Sequence, residues 1–153
     1  MARSPRPRRR PNAARQAAVR KATSALLLGL GVRTTGDWKQ TPARVASLWT
    51  DQLLAGEQLD PAEVLGGAMR HRGRTPVAVR DIGLHMVCPH HLTVALGRAH
   101  VAYAPEDRLA GLGQLSDLVK ACTARFVLQE EAVQDICDAL VEHLHARAAV
   151  ATI

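Results

Sequence analysis

Apolar residues recur along this chain with two different spacings, and the change from one to the other lays out its elements. Over residues 13–30, "AARQAAVRKATSALLLGL", Val19, Ala22, Leu26, Leu27 and Leu30 fall near one face at the helical period. This predicts a helix that Gly31 stops. The polar "TTGDWKQ" follows as a loop. "TPARVASLWTDQLL" predicts a second helix, with Thr41 as N-cap and Pro42 at the first helical position. Val45, Leu48, Trp49 and Leu53 supply its apolar stripe. Arg44 sits in its first turn, where the helix dipole disfavours a cation. That placement is either a small surface cost or a hint of a bound anion.

"LDPAEVLGGAMRHRGRTP" reads as a connector with a short helix. Two β-prone runs follow, roughly residues 77–87 and 94–104, close enough in sequence to pair as an antiparallel hairpin. "APED" carries turn signals. Two further helices are expected. One, "GLGQLSDLVKACTARF", puts Leu115, Leu118, Val119 and Cys122 on one face. The other, "QEEAVQDICDALVEHLHAR", puts Val133, Ile136, Cys137, Leu140, Val141 and Leu144 on one face. The apolar run "AAVATI" begins a strand at Ala148, and the sequence stops at Ile153.

A length of 153 residues is that of one domain, and with 47% hydrophobic residues it is expected to fold. Its four aromatic side chains, Trp38, Trp49, Tyr103 and Phe126, argue against base stacking as a mode of action. The formal charge of +6 is concentrated in Arg3, Arg6, Arg8, Arg9 and Arg10, interleaved with prolines. Residues 1–12 are therefore expected to be a solvated basic tail, and residues 13–153 the domain. Without the tail the domain is close to neutral, so nucleic acid is not the expected partner. No apolar run approaches the length of a membrane span, and the N-terminus lacks the apolar segment of a secretory signal. Three cysteines do not suggest a disulfide framework, so a reduced, cytoplasmic protein is expected.

The chemistry concentrates in Cys88-Pro89-His90-His91, between the two strands. Cys and His are preferred zinc ligands, and the C-x-x-H spacing lets a tight turn aim Cys88 and His91 at one ion. Two ligands do not complete a zinc site, which takes three plus water for catalysis or four for structure. On spacing alone, a metal site and an ordinary polar loop both stay open.

The order of segments narrows this. "TPARVA", D-I followed by C-x-HH, "GRAHVAYAP", "GL", and Arg125 followed by Gln129-Glu130 together resemble GTP cyclohydrolase I, from about Thr41 onward. That family opens folate and pterin synthesis. The resemblance implies an α+β tunnelling fold: an antiparallel four-stranded sheet carrying two long helices on one face, preceded by N-terminal helices. It implies homo-oligomeric rings, often two stacked pentamers. It implies zinc held by Cys88 and His91, with His90 as the catalytic histidine beside it. Gln129 and Glu130 then fall where guanine is recognised, and Arg44 where the triphosphate is held. The implied reaction is hydrolytic opening of the imidazole ring of GTP to dihydroneopterin triphosphate.

Four departures from the family pattern accompany the match. Pro89 stands where the family usually has Glu. "GLGQ" replaces "GLSK", so Gly113 and Gln114 stand for a hydroxyl and a cation that hold phosphate. Asp117 replaces an arginine. The family's third zinc ligand, a Cys in an H-x-C segment, lies beyond the strand begun by "AAVATI". The expectations are weak zinc binding and little turnover by the 153 residues alone. The alternatives are a paralogue acting on another purine and a non-catalytic ring-forming subunit. Cys122 and Cys137, on apolar helix faces, are expected to be buried thiols rather than ligands.

Overall fold

The structure, a computed structural model, describes residues 12–73 and 75–153. The basic tail expected over residues 1–12 lies outside them except for Asn12. Two compact units are present, one ending at Leu54 and one spanning Ala55–Ile153.

In the first unit, helix α1 runs Asn12–Gly29. A 3₁₀ turn, Gly36–Gln40, feeds directly into α2, Thr41–Ser47, which continues as a π-helical segment, Leu48–Leu53. Thr41 is therefore not an N-cap. Its backbone is helical, and its N–H donates to the Trp38 carbonyl. The reason is that a 3₁₀ turn opening at Gly36, at φ 54, starts the helical path five residues before Thr41. Arg44 is then no longer beside a free helix start, and the dipole argument for an anion there falls away.

Asp51 organises this unit. Its carboxylate accepts from Asn12 Nδ2 at 2.9 Å, the Thr50 hydroxyl at 2.8 Å and Gln16 Nε2 at 3.1 Å. Those donors hold its carboxyl below the usual aspartate value, Asn12 first. The expected apolar face of α1 is not buried. Leu26 is 62% exposed and Leu30 69%, and Thr23 is the one buried residue of the helix.

The second unit opens with a 3₁₀ turn, Ala55–Gln58, followed by α3, Pro61–Gly66, which starts as its sequence dictates. Asp60 Oδ1 accepts the Ala62 N–H at 3.0 Å, and Pro61 occupies the first helical position. β1, Met69–Arg70, pairs antiparallel with β4, Arg108–Leu109. The main sheet has three strands among the described residues, where the family resemblance implies four. β2, Val77–Val87, and β3, Val94–Ala104, form the expected hairpin. β5, Ala148–Thr152, pairs antiparallel with β3, giving the order β2-β3-β5.

Helices α4, Leu112–Thr123, and α5, Gln129–Leu144, pack on one face of that sheet, α4 against β2 and α5 against β5. Ile82, Ala99, Val101, Tyr103 and Ala151 meet Leu115, Leu118, Val119, Ile136, Leu140 and Leu144 in the core. The opposite sheet face leaves Leu96, Arg98, His100 and Val150 exposed. Arg108 closes the ends of two helices, donating to the His143 carbonyl at 3.0 Å and the Gly66 carbonyl at 3.2 Å.

β2 carries a bulge. Val79 lies opposite Val101 and Ile82 opposite Ala99, so Arg80 and Asp81 together face His100. Asp81 adopts φ 60, a conformation that Asp tolerates better than most residues. The bulge changes the phase of the strand. Val77 and Val79 pack toward the helices before it; Ile82, Leu84 and Met86 do so after it.

Gly56 shows how closely this unit is packed. Its N–H donates to the Ala124 carbonyl at 2.9 Å, and a Cβ added there would lie 2.3 Å from the Lys120 carbonyl oxygen. That oxygen belongs to α4 and cannot swing aside. Gly56→Ala is expected to lower stability by about 2–3 kcal/mol, the upper range for overpacking. A shifted urea midpoint with an unchanged slope is the measurement that checks it.

Candidate active site

The β2–β3 connection is closed by its own backbone. The Cys88 N–H donates to the Thr93 carbonyl at 2.9 Å, and the Leu92 N–H donates to the Cys88 carbonyl at 2.9 Å. Leu92 reverses the chain at φ 57. Pro89 sits just after the turn begins, where its fixed φ suits the bend and its missing N–H is not called on. Replacing the family's usual Glu by Pro therefore keeps the loop but removes a carboxylate.

This loop puts Cys88 Sγ 3.7 Å from His91 Nδ1. Two donors on one tetrahedral zinc, at about 2.3 Å for sulfur and about 2.05 Å for nitrogen, stand about 3.6 Å apart. The pair is thus already spaced as two ligands of one ion. The His91 side chain lowers the Cys88 pKa most, followed by the backbone N–H groups of His91 and His90. A thiol so held is readied for the deprotonated form that metals bind. The His90 ring lies edge-on to His91, their centroids 6.3 Å apart. Among the described residues no group of three or more metal-capable side chains comes together. Cys122 is buried on α4, and burial pushes the half-buried Cys137 thiol up, so neither joins the loop.

The loop is joined to α5 through the end of β2. The Val87 N–H donates to the Arg125 carbonyl at 3.1 Å, and the Val127 N–H donates to the Val87 carbonyl at 3.3 Å. α5 begins two residues after Val127, with Gln129 and then the exposed Glu130 in its first turn. Gln129 Nε2 donates to the Ile153 main-chain oxygen at 2.9 Å. The structure therefore ties Cys88, His90 and His91 to the Gln129-Glu130 turn by one short strut. Arg44 is exposed on α2, in the other unit.

Two residues at the start of α4 differ from what a phosphate site needs. Gln114 Oε1 accepts the Gly111 N–H at 2.9 Å, and its Nε2 donates to the Val64 carbonyl at 2.9 Å. The side chain caps its own helix and ties α4 to α3. Asp117 lines an open cleft of about 570 Å³ between α4 and β2, with Lys120, Arg80, Asp81 and His85 also in its wall.

The family model for GTP cyclohydrolase I matches residues 19–153, which include the hairpin, the strut and both long helices. The chain belongs to the GTP cyclohydrolase I family. It is 40% identical over 133 residues to GTP cyclohydrolase 1 of Ralstonia nicotianae, covering 86% of this chain and 64% of that one. It is 38% identical over 141 residues to GTP cyclohydrolase 1 of Chromobacterium violaceum, covering 90% and 67%. For the Corynebacterium aurimucosum protein of the same name the figures are 38% over 117 residues, 75% and 59%. The chain thus spans about two thirds of the length of such relatives.

Cys88, His90, His91, Gln129 and Glu130 are visible in the sequence as motifs, but what holds them together is not. The strut residues Val87 and Val127 carry no polar signal. Arg125 stood out as part of a family motif and Asp135 did not stand out at all; their ion pair joins residues ten apart across a helix junction.

The loop geometry predicts an order of thiol reactivity. Iodoacetamide near neutral pH should label Cys88 first, because the thiolate is the nucleophile and its pKa is lowered. Its rate should level off at lower pH than that of an ordinary thiol. His91→Ala should raise the midpoint of that profile and slow labelling, as read by peptide mass spectrometry. Cys137 as the fastest site would contradict the assignment.

Proposed function

We propose that this protein is a zinc-dependent hydrolase of the GTP cyclohydrolase I type, forming dihydroneopterin triphosphate from GTP at the entry to folate and pterin synthesis. The observation that carries the reading is the Cys88–His91 pair at 3.7 Å, with His90 beside it and the Glu130 turn tied to the same strand end. Cys88 and His91 would hold the zinc as two of its ligands. Zinc supplies, when bound, a Lewis acid that makes water nucleophilic near neutral pH.

The chain's own groups divide the remaining work. The Glu130 carboxylate accepts the N1–H and N2–H edge of guanine through charge-assisted hydrogen bonds. Gln129, with its nitrogen committed to Ile153, offers the base its oxygen. His90 delivers a proton to the ring nitrogen as the bond at C8 opens. Arg44 binds phosphate in the assembled protein. Residues 13–153 act as one family domain behind a basic tail. Copies join into rings through sheet edges, since β2 leaves one edge of the sheet unpaired among the described residues. The setting is cytoplasmic.

One observation favours a second reading, a paralogue that takes a less phosphorylated purine. Gln114 has both ends of its amide committed within the fold, and the first charged residue along α4 is the acidic Asp117. An anion there repels phosphate in a partly desolvated site.

The test uses the full-length protein with zinc and follows the fluorescent pterin product. GTP turnover is expected, with Glu130→Gln costing about one to two decades of rate, the worth of one or two charge-assisted contacts. Cys88→Ser should lower the zinc content of washed protein. Product from guanosine or its monophosphate at rates above those from GTP would select the second reading. Gln114→Lys with Asp117→Arg should then swing preference back to GTP. No product from any guanine compound, with zinc content indifferent to Cys88→Ser, would sink both.

A further inference from the structure

Between α4 and α5 the chain crosses a link, residues 124–128, whose one regular feature among the described residues is a bridge from Phe126 to Val87. Its position matters because one end is bonded to Val87, next to Cys88, and the other opens the turn that carries Glu130. A connector of that kind keeps its shape only if something fixes it from outside.

Arg125 does this from three directions. Its carbonyl accepts from Val87. Its Nε donates to the Cys122 carbonyl at 3.0 Å, in the last turn of α4. Its Nη2 pairs with the Asp135 carboxylate on α5. The two side chains are 13% and 19% exposed, so this is a mostly buried pair rather than a solvated one. A planar guanidinium presenting separate donors to a carbonyl and a carboxylate holds direction as well as distance. Lys, a point charge on a flexible stem, can meet Asp135 but cannot reproduce both contacts.

We propose that Arg125 is a positioning residue: braced between α4 and Asp135, it sets where the Glu130 carboxylate stands relative to the Cys88–His91 pair. It touches no substrate and acts through Glu130. The inference rests on the reading of Glu130 as the guanine acceptor. It predicts that weakening the brace lowers affinity for the guanine edge, and that the loss vanishes when Glu130 can no longer act.

The experiment is a double-mutant cycle on the full-length, zinc-loaded protein. The probe is 7-deaza-GTP, which keeps the N1–H and N2–H edge but replaces the reacting ring nitrogen, and binding is read by calorimetry. Arg125→Lys should weaken binding about tenfold in the otherwise unchanged protein and less than about twofold in a Glu130→Gln background, the non-additivity of coupled sites. Asp135→Asn should do the same. Ile136→Val, which loosens the α5 core without touching the brace, serves as the stability control and should leave affinity unchanged. Arg125→Ala, the harsher change, is compared where circular dichroism shows it folded, and should exceed Arg125→Lys.

If Glu130→Gln weakens binding while Arg125→Lys matches Ile136→Val, the proposal is overturned and the reading of Glu130 stands. If Arg125→Lys costs the same with and without Glu130, Arg125 acts on stability alone and the proposal is likewise overturned. Binding by the unaltered protein that ignores Glu130→Gln overturns the reading of Glu130, and the proposal with it.

Discussion

Two backbone hydrogen bonds at Val87 join the halves of the candidate site. Val87 is the last residue of a strand and is fully buried. On one side of it the chain turns into the Cys88–His91 loop. On the other, across the bonds to Arg125 and Val127, lies the approach to α5. Beneath them Met86, Val127 and Ala132 form a small apolar cluster of their own, with Leu84 and Ile153 against it. Buried backbone groups left unpaired cost about 1–3 kcal/mol each, so the two bonds and the cluster hold one another in place. The polar side chains can be exposed because the apolar residues behind them are not.

The bulge in β2 serves the same end from further back. Were the same residues paired without a bulge, the inward phase of β2 would stay that of Val77 and Val79, and Met86 would turn away from the helices. A one-residue slip exchanges the faces of everything downstream. The hairpin loop would then leave the strand rotated, with Val87 aimed differently at the 125–127 segment. Asp81 in its left-handed conformation is thus part of how the loop is oriented, though it lies seven residues before Cys88. Its N–H donates to His100 Nδ1 at 3.4 Å, a long bond that ties the bulge to the strand it faces.

What could be read in the sequence follows from the range of the forces involved. Strands over 77–87 and 94–104 were legible because β-prone runs with turn signals at their ends are local. Pro61 after Asp60 is a local helix signature, and α3 begins there. Thr41 before Pro42 carries a similar signature, yet it was overridden, because a 3₁₀ turn beginning at Gly36 already satisfied the Thr41 N–H. Val141 lies on the periodic face of α5 but is 49% exposed, since the period marks a stripe and not its edges. The pairing of β1 with β4, the reach of Arg108 to two helix ends and the Arg125–Asp135 pair had no local signal, because each joins segments that only the finished fold brings together. The candidate site divides in the same way. The Cys88–His91 pair and the Glu130 turn were legible as motifs, and the strut between them was not.

Gln114 shows how one substitution can alter the fold and the chemistry together. A helix start needs its first N–H groups satisfied, and a side chain three residues in can reach back to do it. Gln does this with its oxygen and has a nitrogen left to bind the Val64 carbonyl of α3. A Lys in its place would have no acceptor to offer the Gly111 N–H. The residue that best stabilises the junction of α3 and α4 is therefore one that brings no positive charge to it. The next charged side chain along α4 is Asp117, and Lys120 follows a turn later. The cleft beside β2 then balances Arg80 and Lys120 against Asp81 and Asp117 rather than presenting one sign. Such a lining attracts polar groups of either charge weakly, and cannot focus a polyanion as a single-sign cleft does. In this chain the order of α4's first turn is secured by uncharged hydrogen bonds. Any strong hold on a triphosphate must then come from cations outside that turn.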